Sequence, residues 1–240
     1  MKHLVSRLAS LALPVVLAAC GHQHAATHDA EHHHEHHAAA SPAEPGGHDM
    51  HHSFSGAEEW SKRWDNPERD AWQKPDVVLS LLALAPTAKI ADIGAGTGYF
   101  TMRFAKATSG TVYGVDIEPD MIRFLGERAA KESVANVVPV KAEPADAKLP
   151  EAVDVIFMCN TYHHVDSRSA YFAALKAKLA PKGRVVIVDF KLDSKEGPRR
   201  EHKLADAVVA SELVQAGYTI VSTDTTSLPE QYVIIAEPKG

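Results

Sequence analysis

Three glycines at alternate positions, in Gly94-Ala95-Gly96-Thr97-Gly98, close an apolar run that starts at Lys89. Carboxylates stand around them: Asp92 just before the first glycine, and Asp116 and Glu143 at the ends of the next two apolar runs. A glycine turn at the carboxyl end of a strand lets a ligand approach the backbone without side-chain obstruction. The dinucleotide fingerprint is G-x-G-x-x-G, whereas here Tyr99 follows Gly98 and the third glycine falls one position early. Asp92 is a second discriminator. A pyrophosphate beside a carboxylate in a site of reduced dielectric costs on the order of several kcal/mol, while an ammonium or sulfonium is stabilised there. The expected ligand is therefore a nucleoside that carries positive charge and no phosphate. Asp116 stands where an acidic side chain accepts ribose hydroxyls, and Glu143 stands where a polar side chain meets an adenine amino group.

A second group, Asn160 to Asp166 ("NTYHHVD"), follows the fourth apolar run and so overlooks the same crevice. Tyr162, His163 and His164 are its candidate proton acceptors, since histidine is neutral often enough near pH 7 to act as a base. The alternative is that these histidines pack and hydrogen-bond without catalysing. Upstream, "RWDNPERDAWQKP" (Arg63–Pro75) mixes aromatic and charged residues without a regular period. Arg69, Trp72 and Gln73 are candidates for a lid, with Arg69 pairing to a carboxylate of the cofactor or of an acidic acceptor. Trp60 and Trp64 read as hydrophobic staples of an N-terminal helix.

Positioning these residues requires alternating elements. Strands are expected in "KIADIG", "TVYGVDI", "VVPVKAE", "VDVIFMCN" and "RVVIVDF", with helices over Pro119–Ala130 and Arg168–Ala180 between them. Tyr171, Leu175 and Leu179 share one face of the latter, which should stop at Pro181-Lys182-Gly183. An earlier helix starts at Pro75, with Val78, Leu81, Leu82 and Ala85 on one face. Near-continuous apolar strands separated by helices mean a parallel sheet covered on both faces. Glu201–Ala216 reads as a helix, and "YTIVSTDT" and "EQYVIIAEP" after it are joined too closely to be parallel neighbours.

From about Asp65 to Pro238 the chain resembles the class I S-adenosylmethionine-dependent methyltransferases, through "ADIGAGTGYF", "VYGVDIEPDMI" and "LAPKGRVVIVDF". Within them it resembles the small-molecule branch related to the ubiquinone and menaquinone C-methyltransferases. The resemblance implies a Rossmann-like α/β fold whose seven-stranded sheet runs 3-2-1-4-5-7-6 with strand 7 antiparallel. It implies S-adenosyl-L-methionine as cofactor, held by Asp92, Gly94, Ala95, Gly96, Gly98, Asp116, Ile117 and Glu143, with Asn160 near the methionine end. It also implies a small-molecule methyl acceptor, which "KLDSKEGPRREHK" (Lys191–Lys203) does not announce. A different class of reading is a non-catalytic binding module that keeps the nucleotide fold and sequesters metal on a histidine arm.

The N-terminal quarter is of another kind. Lys2 and Arg7 precede an apolar stretch, Leu8–Ala19, too short to span a bilayer comfortably and ending in Leu17-Ala18-Ala19-Cys20. Residues 1–19 thus read as a lipoprotein signal peptide, with Cys20 lipidated and the protein held to a cell or outer membrane on the periplasmic side. If the leader is unused, the protein is cytoplasmic. Residues 20–53 are almost wholly His, Ala, Glu, Gly and Pro and read as a disordered tether. Its His32, His33, His34, His36 and His37 are candidate ligands for zinc, nickel or copper, or simply part of a soluble spacer. The folded domain is expected over residues 54–240, with 54–86 as its lid segment. A net charge of −6 gives no nucleic-acid footprint. Only Cys20 and Cys159 are present, so stability must come from the core.

Overall fold

The computed structural model describes residue 54 and residues 56–240. The lipobox, Cys20 and the tether histidines lie outside those residues. Among the described residues, no three His, Cys, Asp or Glu side chains gather as a metal site, and no helix is long and apolar enough to cross a membrane.

Three helices lead in: α1 (Ala57–Trp64), α2 (Arg69–Gln73) and α3 (Pro75–Leu82). Then come β1 (Ile90–Ile93), α4 (Thr101–Ala107), β2 (Val112–Asp116), α5 (Pro119–Lys131), β3 (Val137–Lys141) and β4 (Val153–Cys159). α6 (Arg168–Leu175), β5 (Leu179–Phe190), α7 (Asp206–Gln215), β6 (Tyr218–Asp224) and β7 (Gln231–Pro238) complete the chain. The sheet order is β3-β2-β1-β4-β5-β7-β6, as the resemblance implies. β1 pairs parallel with β2 and β4, and β7 runs antiparallel to both β5 and β6.

The apolar runs are continuous because both faces of the sheet are covered. Ile156 and Met158 of β4 enter one core with Tyr162, Phe172 and Leu213, while Val155 and Phe157 enter the other with Phe100 and Phe104. Full burial of a side chain such as Phe157 contributes about 2 kcal/mol. Parallel strands direct all their carboxyl ends to one edge, so β1, β2, β4 and β5 place Asp92, Asp116, Asn160 and Asp189 at or next to that edge.

Three boundaries differ from the sequence expectation. The helix expected through Ala180 ends at Leu175, passes through a 3-10 turn at Lys176–Lys178, and becomes strand at Leu179. Leu179 pairs with Val153, and the register shifts before Arg184 meets Val155. Pro181 cannot continue a helix, and a side chain at Gly183 would press on the Ala180 carbonyl, so the segment turns into the sheet early. The helix expected from Glu201 begins only at Asp206, after a 3-10 turn at Arg200–His202. Lys203 is drawn inward there, its Nζ donating to the Ser194 carbonyl at 2.6 Å, and Ala205 is extended. Finally, Val78 and Leu82 are buried on α3 as expected, Leu81 is half-buried, and Ala85 is exposed because the helix has already stopped at Leu82.

Candidate active site

The turn after β1 is built by backbone geometry. Gly94 and Gly96 have φ of 74° and 53°, a region that favours glycine. A Cβ on Gly94 would collide with the Thr161 side chain, and one on Gly96 would lie 3.1 Å from the Trp64 ring. The amides of Gly94 and Ala95 both donate to the Val115 carbonyl, at 2.8 and 3.0 Å, which locks the turn to β2. Thr97, within the turn, has a buried hydroxyl that lacks a hydrogen-bond partner among the described residues.

Of the two carboxylates of this half, Asp92 is buried and Asp116 half-buried. Asp116 accepts from the Gly96 amide at 2.8 Å and from the Glu118 amide at 2.9 Å, and burial raises its pKa. Asp92 is only 3% exposed and accepts from the Thr101 hydroxyl at 2.6 Å. Its burial, against that hydrogen bond, lifts the pKa to about 7, and nearby Asp116 pushes the same way. Asp92 therefore lies beneath the turn, bracing the start of α4, rather than open to the crevice as its strand-end position suggests. Ile117, just past β2, is 47% exposed, one of few large apolar side chains left open. Glu143 follows β3, is exposed, and bridges to Asp146 through the backbone.

The other half is assembled from side chains distant in sequence. Arg69, at the start of α2, is half-buried and donates to the Trp64 carbonyl at 2.9 Å and to Gln73 Oε1 at 3.1 and 3.3 Å. Burial lowers its pKa. Its guanidinium lies 3.8 Å from the Tyr99 ring centroid, and Arg103 stacks on Tyr99 at 3.9 Å. Asp70 is engaged by Arg103 and by the Tyr99 hydroxyl, so Arg69 has no carboxylate partner among the described residues. Gln73 donates to Gln231 Oε1, and Gln231 donates to Asn160 Oδ1. Cys159 sits under both amides, and burial pushes its thiol up to about 12.

Beside Asn160, His163 Nδ1 lies 3.0 and 3.1 Å from the two oxygens of Asp189, and both residues are buried. A carboxylate on Nδ1 fixes that nitrogen as the donor and leaves Nε2 as the acceptor. The His164 ring is 4.2 Å from His163 and 5.8 Å from Phe54. Tyr162 is a correction. Its hydroxyl donates to Glu212 at 2.8 Å, its ring is fully buried against Phe172, and its pKa is raised by burial, so it is not free to take a proton.

The lead-in segment closes one side. Asp120 Oδ2 accepts from the Gly56 and Ala57 amides at 2.9 and 2.7 Å, and Arg128 ties Asp65 to the Thr97 carbonyl. Trp60 and Trp64 stack at 4.7 Å, as staples should, but Trp64 also reaches the glycine turn. Trp72 packs near Phe190, its ring centroid 6.0 Å away.

Residues 90–183 match the methyltransferase domain family. A solved S-adenosylmethionine-dependent methyltransferase from Aquifex aeolicus superposes with a TM-score of 0.69 at 26% identity, covering 74% of this chain and 96% of its own. The chain thus carries a methyltransferase domain on the fold of the S-adenosylmethionine-dependent methyltransferases. Magnesium protoporphyrin IX methyltransferase from Synechocystis, solved with S-adenosylmethionine bound, shares the fold at a TM-score of 0.60 and 18% identity, over 78% and 93% of the two chains. Among curated relatives, 27-O-demethylrifamycin SV methyltransferase of Amycolatopsis mediterranei is 27% identical over 74% of this chain and 63% of its own length. A ubiquinone/menaquinone biosynthesis C-methyltransferase of Burkholderia mallei is 34% identical over 44% of each chain. The chain thus spans less than two thirds of either curated relative.

Two residues of this site escape sequence reading. Asp189 ends an apolar strand, the same signal that marks Asp92 and Asp116, and was open to that rule. Gln231 starts β7 with no local pattern to single it out. Arg69, Gln73, Asp189 and Gln231 all fall outside the matched residues 90–183.

Proposed function

We propose that this domain transfers a methyl group from S-adenosylmethionine to a small molecule bearing an O–H or N–H group. The observation that carries the reading is the glycine turn of β1 with its two carboxylates, one buried and one half-buried. Asp116 has its carboxylate at the turn, where it can exchange the Gly96 amide for ribose hydroxyls. Exposed Ile117 offers an apolar face to a planar base, and Glu143 is free at the end of β3. Asp116 alone would also serve a dinucleotide. Asp92 beneath the turn and the early third glycine favour the phosphate-free, cationic nucleoside. The residues present fit that cofactor.

S-adenosylmethionine, when bound, supplies a methyl group activated by its sulfonium. His163 takes the proton from the acceptor at Nε2 as the acceptor atom bonds to carbon, and Asp189 holds the ring and stabilises the imidazolium. The cofactor would be released as S-adenosylhomocysteine, its sulfur keeping the bonding electrons. Trp64 and α1 exclude water from the turn side, and alignment supplies much of the acceleration. Titration of the full chain with S-adenosylmethionine and S-adenosylhomocysteine tests the reading. Micromolar affinity that falls about a hundredfold in Asp116→Ala is expected, and no binding of either compound overturns it.

We further propose that the chain is anchored through lipidated Cys20, a reading supported by the order of charge, apolar core, small residues and cysteine. Cys20→Ser should release the protein from membranes; retention would contradict it.

A further inference from the structure

The far half of the crevice contains a one-way chain of buried amides. Arginine only donates. Two nitrogens of Arg69 meet one oxygen, Gln73 Oε1, and this fixes which end of the Gln73 amide faces which way. Its Nε2 must then donate onward, to Gln231 Oε1, and Gln231 Nε2 in turn donates to Asn160 Oδ1. Gln73 and Gln231 are fully buried, so neither amide can turn over without stranding a polar group away from water. Asn160 is thereby left with its oxygen consumed. Its Nδ2 has no partner among the described residues.

The backbone holds Asn160 to the crevice. It is half-buried, at φ 56°, with its amide donating to the Val188 carbonyl at 2.9 Å. The next residue, Thr161, packs against Gly94 of the turn. Arg69 also retains N–H groups beyond the three it uses, and it forms no close ion pair among the described residues, Asp65 and Asp92 acting on it only at longer range. Donors left over at both ends of a relay, one of them cationic, form a receptor for an anion.

Accepting that the domain binds S-adenosylmethionine, we infer that Gln73 and Gln231 are positioning residues. They orient Asn160 as a donor which, with Arg69, receives the α-carboxylate of the cofactor's amino-acid moiety. The relay joins α2, β7 and β4, so it also makes that receptor conditional on the lead-in segment being docked. A glutamine pair chosen only to fill the interior would show no preference between ligands with and without a carboxylate.

The test uses the full chain and two probes, S-adenosylhomocysteine and 5′-methylthioadenosine, which keeps the nucleoside and lacks the amino-acid group. Gln231→Glu is nearly isosteric but cannot donate. Its carboxylate accepts from Gln73 and from Asn160 Nδ2, turning the Asn160 oxygen outward. S-adenosylhomocysteine affinity should fall about tenfold or more, while methylthioadenosine affinity stays within about twofold. Gln73→Glu, which pairs with Arg69 and loses the onward donor, should show the same selectivity. Equal losses for both probes, or no loss for either, would overturn the inference. If Gln231→Glu melts before it can be titrated, Asn160→Asp at the open end of the relay gives the same reading without a change in the fully buried pair. Failure of the unaltered protein to bind either probe would instead overturn the cofactor assignment itself.

Discussion

The two halves of the crevice are built on opposite plans. The glycine-turn half is made of backbone and of carboxylates from strands that are adjacent in the sheet, all within a short stretch of chain. Burial raises the pKa of both carboxylates, and a cation placed near them would favour their ionised forms. The half around Asn160 is made of side chains from α2, β4, β5 and β7, each satisfied by the next, and its spare capacity is for a negative group. One half thus recognises by local backbone shape, the other by long-range polar wiring. A ligand that is cationic at one point and anionic at another satisfies both.

The largest effect expected from breaking the first plan is Gly94→Ala. The added methyl meets Thr161, and φ of 74° strains any side chain. S-adenosylhomocysteine binding should be lost in a titration, with a clear fall in melting temperature. Unchanged binding would mean that the turn does not approach the ligand.

The second plan breaks at His163→Gln, which should lower methyl transfer to any acceptor found by screening about a hundredfold. S-adenosylhomocysteine affinity should hold. If transfer persists, the dyad with Asp189 only packs.

Asp92→Asn sharpens the contrast in charge. The folded-state pKa of Asp92, about 7, lies above its ordinary 3.8, so the folded protein binds the proton more tightly than the unfolded chain. Stability is then greatest below the ordinary value and declines as pH rises from about 4 to 7. The amide should raise stability by roughly 2–4 kcal/mol at pH 8 and far less at pH 4, read by denaturant unfolding. A loss at pH 8 would show that the ionised carboxylate is well accommodated.

Tyr162→Phe should do least. It removes one hydrogen bond to Glu212, costing about 1 kcal/mol in a melt and leaving cofactor affinity alone. A large loss of transfer in this variant would return Tyr162 to the site.

The same contrast explains what could be read from sequence. The turn, Asp92, Asp116 and the alternation of strands and helices follow from glycine spacing and runs of apolar residues, which are local signals, whereas the sheet order comes only from the family resemblance. Even so, burial of Asp92 under Thr101 was not legible, because a strand-end carboxylate looks the same whether it faces ligand or core. Gln73 and Gln231 meet across 158 positions, and no spacing rule joins residues that far apart. Tyr162 stood in a motif with two histidines, yet a 3-10 turn at Tyr162–His164 sends its ring into the core while His163 meets Asp189. The helix expected to end at Ala180 failed for a related reason, since pairing with β4 overrode its periodicity.

The most direct test of the account is a side-by-side titration of the full chain with S-adenosylmethionine and NAD at neutral pH. The account predicts saturable binding of the sulfonium nucleoside and none of the pyrophosphate compound. Binding of NAD with no response to S-adenosylmethionine would contradict it.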